Sequence, residues 1–250
     1  ASVQLVKLNT ELSKIESHQK NIAVATSALS FEEVALDSAN DVLLRARELT
    51  IQGQNGTLSQ SDRDAIANEI DGLREQLLSI GNMQNADGEY IFAGTASNAP
   101  AYDASGVFQG DAIVRQINIG KGVSVARGHS GAEVFEGVNG TLNVFDVLAD
   151  LSQALRDDDQ AVLSERFIDV DTATEQLSSV RTSIGVRMNW IDDQASLNDN
   201  FNLDLQTTIS DIQDVDMAEA IGRLQLQMVS LQAAQQMFVK TQNLSLFNYL

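Results

Sequence analysis

LSERFIDVDTATEQLSSVRTSIGVRMNWIDDQASLNDNFNLDLQTTISDI, residues 163–212, decides the fold. Within it Leu163, Phe167, Val170, Thr174, Leu177, Arg181, Ile184, Met188, Ile191, Ala195, Asn198, Asn202, Leu205, Ile209 and Ile212 follow one another by steps of four and three. The mean step of about 3.5 residues is that of a helix keeping one face against a partner helix. Held for about seven heptads, it specifies a long coiled-coil-like helix and leaves no room for a strand.

The register slips at DVDM (214–217), where Asp214 or Asp216 is expected to break or recap the helix. It resumes as Ile221, Leu224, Met228, Leu231, Gln235, Phe238, Gln242 and Ser245, a separate final seam. At the other end of the chain Leu5, Leu8, Leu12, Ile15, Ile22 and Leu29 keep the same spacing, with Gln19 and Thr26 in register. If that helix runs unbroken to residue 51 it is roughly 75 Å long, at about 1.5 Å per residue. GQNGTLSQ then turns, and Ser59 or Ser61 caps a second helix carrying Ile66, Ile70, Leu73, Leu77 and Ile80 on one face, which is expected to fold back on the first.

Glycine and proline separate these flanks. Ten of the 16 glycines lie between Gly88 and Gly140, as does the only proline, Pro100. Both residues break helices, so the middle is not helical rod. There DAIVRQINIGKGVSVARG (111–128) reads as a hairpin: Ile113, Arg115, Ile117 and Ile119 alternate with Val114, Gln116 and Asn118, GKG turns, and Val123 and Val125 return. GEYIFAGT (88–95), with Tyr90 and Phe92 on one side, reads as another short strand. The expected architecture is mainly α: a long antiparallel coiled-coil-like rod over 1–85 plus 142–216, a small β-rich insertion over 86–141, and a carboxy-terminal helix over 217–250. Leu5, Leu8, Leu12, Ile15, Ile22, Leu29, Phe167, Val170, Leu177, Ile184, Met188 and Ile191 form the rod-core seam.

Composition excludes several functions. A formal charge of −19, with no Lys/Arg cluster to offset it, disfavours nucleic acid and anionic membranes as partners. The absence of cysteine removes disulfides, thiolate metal sites and cysteine nucleophiles. No apolar run reaches the roughly eighteen residues of a spanning helix, and LVKLNTELSKIESHQK is too charged throughout for a secretory signal. The chain opens on Ala1 instead of Met, so its natural start is expected to lie further upstream.

Catalytic or ligand chemistry finds little support. His18 and His129 lie far apart in sequence and read as ordinary surface residues. Asp157, Asp158 and Asp159 lack the spaced ligands and glycine of a calcium loop and read as a solvated helix-to-helix turn. GKGVSV runs into a strand where a phosphate cradle needs a helix. Asn55-Gly56-Thr57 and Asn139-Gly140-Thr141 match glycosylation sequons, although such triplets are more often turns. Nothing calls for a metal or cofactor, and the chain reads as a non-enzyme.

Three stretches resemble one family. ALSFEEVALDSANDVLLRARELTIQGQNGTLSQSDRDAIANEIDGLREQLLSI (28–80), above all RARELTIQGQNGTLS, resembles the amino-terminal helical region shared by bacterial flagellins and hook-filament junction proteins. GEYIFAGT, FQGD (108–111) and INIGKGVSV (117–125) resemble the junction branch of this flagellin-like family, as does the ending LQAAQQMFVKTQNLSLFNYL (231–250). The resemblance implies a structural adaptor joining the hook side of the flagellum to the flagellin filament, extracellular and exported through the flagellar secretion channel. It implies as partners further copies of the chain in a ring-like axial assembly, a hook-associated neighbour, flagellin, and an export chaperone. It also implies a further amino-terminal segment that pairs with the carboxy-terminal helix. A filament-forming flagellin is the nearer alternative and an unrelated helical binding module the more distant one.

The tail itself points to assembly. Its last twenty residues carry one charged side chain, Lys240. Ile221, Leu224, Met228, Leu231 and Phe238 offer an apolar face, Gln225, Gln227, Gln232, Gln235, Gln236 and Gln242 supply hydrogen bonds without an ion's desolvation cost, and Leu246, Phe247, Tyr249 and Leu250 close the chain. These residues, from Ile221 to Leu250, are the expected axial packing surface, an intramolecular fourth helix being the plainer alternative.

Overall fold

A computed structural model describes residues 2–137 and 143–243. Its elements are α1 (Ser2–Gly53), α2 (Gln60–Gly81), β1 (Gln116–Gly120), β2 (Val123–Ala126), α3 (Gly131–Phe135), α4 (Val144–Asp157) and α5 (Gln160–Asn243). They fall into two compact units, one of residues 18–196 and one of residues up to 17 together with those from 197 on.

In the larger unit α1 and α5 run antiparallel. Gln19 Nε2 donates to the Ala195 carbonyl at 3.1 Å, Arg181 bridges Glu33 at 2.7 Å, and Arg47 Nε donates to Asp171 at 2.5 Å, so partners on α5 descend as α1 ascends. The expected seam supplies the buried strip: Ile22, Leu29, Val170, Leu177, Ile184 and Ile191 are buried. Phe167 and Met188 are half-buried at its margin, with the Arg47 guanidinium 5.0 Å above the Phe167 ring. Each fully buried aliphatic side chain contributes about 1.5–3 kcal/mol, whereas the half-exposed ion pairs beside them add at most about 1 kcal/mol each. Packing therefore dominates. Toward Gly53 the strip widens to Ala35, Leu36, Ala39, Val42, Leu43, Ala46 and Leu49, because α1 there also covers α2 and α4.

Ser59 caps α2, accepting from the Asp62 amide while the Asp62 carboxylate accepts from the Ser59 amide, a reciprocal capping box. α4 packs antiparallel to α2: Ser152 Oγ donates to the Ala67 carbonyl and Arg74 Nε to the Phe145 carbonyl. α4 ends in the turn expected of the aspartate run, with Asp158 in the left-handed conformation at φ 57°.

In the smaller unit the same spacing again marks the covered positions. Leu5, Leu8, Leu12 and Ile15 are half-buried on α1, while on α5 Asn198 and Ile209 are buried and Asn202, Leu205 and Ile212 half-buried. The expected interruption at Asp214 or Asp216 does not occur, since α5 is one helix through both positions. An aspartate costs a helix interior no more than about 0.7 kcal/mol, which the hydrogen bonds of a long helix absorb.

β1 and β2 pair antiparallel as expected, but the ladder starts at Gln116. Ile113 is exposed, its amide turned to the Asp111 carboxylate. GEYIFAGT is not a strand: only an isolated bridge, Gln84 to Tyr90, forms there. Gly88 and Gly94 adopt φ of 78° and 69°, which bends the backbone out of any extended run. Phe92 is nevertheless buried, in an aromatic core with Tyr102, Phe108, Phe135 and Phe145 whose neighbouring ring centroids lie between 4.7 and 5.8 Å apart.

The reading of both histidines as surface residues fails at His129, which is 4% exposed. Its Nδ1 donates to Glu32 Oε1 of α1 at 2.8 Å, and its Nε2 lies 3.1 Å from Arg187 Nη2 of α5. A guanidinium can only donate, so Nε2 accepts and the ring proton sits on Nδ1. Arg187 Nη1 also reaches the Gly128 carbonyl at 3.2 Å. A polar clamp thus ties α1, the segment leaving β2, and α5 together. His18 is half-buried on α1.

Candidate assembly interface

The final part of α5 is helical to Asn243, and from Met217 to Thr241 it is covered by nothing among the described residues. Ile221, Leu224, Met228, Leu231 and Phe238 are each more than half exposed, and Gln235 is exposed beside them. At about 100° per residue these positions line one side of the helix, as the four-three spacing predicts. Leu246, Phe247, Tyr249 and Leu250 lie outside the described residues.

The structure adds a second stripe. Leu226, Val229 and Met237 are exposed at 71, 63 and 67%, and with Ala233 they follow steps of three, four and four. Met237 is nine residues beyond Met228, about 180° around the helix, so this stripe lies opposite the first. Its spacing is as regular as that of the seam, and the sequence reading passed over it by following a single register. A soluble helix normally carries one apolar stripe and an opposite polar face. This one carries two, with Gln225, Gln232 and Gln236 on one flank between them and Gln227 on the other.

Charge separates along α5 in the same way. From Asn189 to Asp216 the helix carries Asp192, Asp193, Asp199, Asp204, Asp211, Asp214 and Asp216 and no basic residue. From Met217 onward it carries only Glu219, Arg223 and Lys240, and Arg223 spends its charge on Glu219 one turn away. The long-range repulsion expected of a chain at −19 is therefore weakest where the exposed apolar surface is greatest. Among the described residues no helix is both long and apolar enough to cross a membrane. Nor do any three His, Asp or Glu side chains among them converge on a metal position.

A family model of the bacterial flagellin N-terminal helical region matches residues 1–97, and one of the bacterial flagellin C-terminal helical region matches residues 168–250. The chain is similar to flagellar hook-associated protein 3 of Escherichia coli (strain K12), with 29% identity over 99% of this chain and 85% of that one. It is similar to the protein of that name from Salmonella typhimurium, with 26% identity over 99% of this chain and 85% of that one. Among solved structures it is similar to a flagellar hook-associated protein from Vibrio parahaemolyticus, at a TM-score of 0.79 and 27% identity over 84% of this chain and 96% of that one.

Proposed function

Because the chain belongs to the bacterial flagellin family, with that family's N-terminal and C-terminal helical regions as its two flanks, we propose that it is a structural adaptor at the hook-filament junction of the bacterial flagellum. It works without catalysis, seated between a hook-associated protein on one side and flagellin on the other, and it packs with further copies of itself in a ring-like axial assembly. It reaches that position by export through the flagellar secretion apparatus, in the care of a chaperone beforehand.

One observation carries this reading: the part of α5 from Met217 to Thr241 is apolar on two sides, nearly uncharged and exposed throughout. Burying Ile221, Leu224, Met228, Leu231 and Phe238 would contribute roughly 8–15 kcal/mol at about 1.5–3 kcal/mol each, which a lone helix in water forgoes. Leu246, Phe247, Tyr249 and Leu250 belong to the same proposed surface. The hook-associated proteins to which the chain is similar over nearly its whole length supply the setting.

The experiment is deletion of the gene with imaging of the cells. Hooks without filaments, with flagellin released into the medium, are expected. The wild-type chain should restore filaments and a Leu224→Asp/Leu231→Asp chain should not. Normal attached filaments in the deletion strain would overturn the proposal. A purified chain that grows long filaments by itself would mark it as a flagellin instead.

A further inference from the structure

Methionine is the only sulfur in this chain, and its placement is uneven. Met83 and Met188 are half-buried against the hydrophobic core. Met217, Met228 and Met237 are exposed at 62, 57 and 67%, all on the uncovered part of α5. Met217 and Met228 are eleven residues apart, which brings them within about 20° of each other on the helix, while Met237 lies on the opposite side. Both apolar stripes thus carry an accessible thioether. No cysteine is present to consume an oxidant first.

We propose that Met217, Met228 and Met237 are sites of reversible sulfoxidation that block assembly of the free chain, and that assembly in turn shields them. The inference rests on the axial packing proposed above. The reagent is a two-electron oxidant of the peroxide class. A sulfur lone pair attacks one oxygen of hydrogen peroxide, the O–O bond breaks and the S–O bond forms. The departing hydroxide takes up a proton and leaves as water. Sulfur is oxidised by two electrons and the peroxide is reduced. Each product is a polar, chiral sulfoxide where an apolar contact belongs. On docking, that group would have to be buried without an assured hydrogen-bond donor, which is costly. Met83 and Met188 sit half-covered against the core and react later. Methionine sulfoxide reductases with a thiol reductant reverse the change.

The test uses the purified full chain, hydrogen peroxide and hooks isolated from the deletion strain. Peptide mapping by mass spectrometry should find oxygen on Met217, Met228 and Met237 well before Met83 and Met188. Binding of the oxidised chain to hooks should fall at least tenfold and return after sulfoxide reductase treatment. A Met217→Leu/Met228→Leu/Met237→Leu chain, whatever its own untreated level of binding, should bind equally before and after peroxide. Oxidised chain that binds as well as untreated chain, or equal reactivity of all five methionines, overturns the proposal. So does an equal peroxide loss in the leucine chain. Untreated chain that fails to bind hooks overturns the packing on which it rests, a separate result.

Discussion

Removing the His129 ring would leave the Glu32 carboxylate buried against Gly128 with its hydrogen-bond partner gone. Orphaning a buried hydrogen-bonding group costs about 1–3 kcal/mol, whereas replacing both partners by apolar residues costs far less. Calorimetry of His129→Ala should therefore show a fall of roughly 2–12 °C in Tm, at about 2–4 °C per kcal/mol for a unit of this size. Glu32→Leu/His129→Leu should lose less, and equal losses would refute the clamp. The Glu89 carboxyl is held below its ordinary value chiefly by the hydrogen bond from Arg115, burial opposing. For Asp71, burial pushes upward, but the hydrogen bond from Arg156 and the charges of Arg156 and Arg74 outweigh it. A carboxyl whose folded value lies below its unfolded one contributes all its stability above the unfolded value and loses it as pH falls through the folded one. Through these two carboxyls thermal stability should decline as pH falls below the ordinary carboxylate range, and Glu89→Gln should lessen that decline.

At the scale of elements, α2 depends on its start. Ser59→Ala removes one side of the capping box and should cost about 1 kcal/mol, read as a shift of the urea midpoint at unchanged slope. Regular elements were the legible part of the sequence. The seam from Leu163 to Ile212 repeats one spacing so often that no other structure fits, and Ser59 or Ser61 marks a helix start, of which the structure uses Ser59. What stayed hidden depends on residues far apart in the chain. Glu32 and His129 are 97 positions apart, and nothing near either one announces the other. α4 went unread although Val144, Val147, Leu148, Leu151 and Leu155 have helical spacing behind an Asn143 cap. GEYIFAGT misled because Tyr90 and Phe92 alternate like a strand, while the two glycines that bend it declare their angles only in three dimensions. The second stripe on α5 was visible in principle, since Leu226, Val229, Ala233 and Met237 obey the same rule as the seam.

For the whole molecule, the contrast between a covered core and an uncovered helix end should appear in degradation. Local stability follows buried apolar contact. Brief trypsin treatment of the free chain should cut after Arg223 and Lys240 long before it cuts within residues 18–196, and cleavage at Arg181 or Arg187 at equal rate would contradict the burial pattern. The aromatic core built from Phe92, Tyr102, Phe108, Phe135 and Phe145 has a practical corollary. It contains no indole, whereas the sole tryptophan, Trp190, lines a shallow groove beside β2 and is 46% exposed. Two of the three tyrosines, Tyr90 and Tyr102, lie in the glycine-rich middle of the chain, so near-ultraviolet circular dichroism in the phenolic band will chiefly follow that part. Tryptophan emission will follow the groove where α5 meets the hairpin, so one sample yields a second optical window on the same fold.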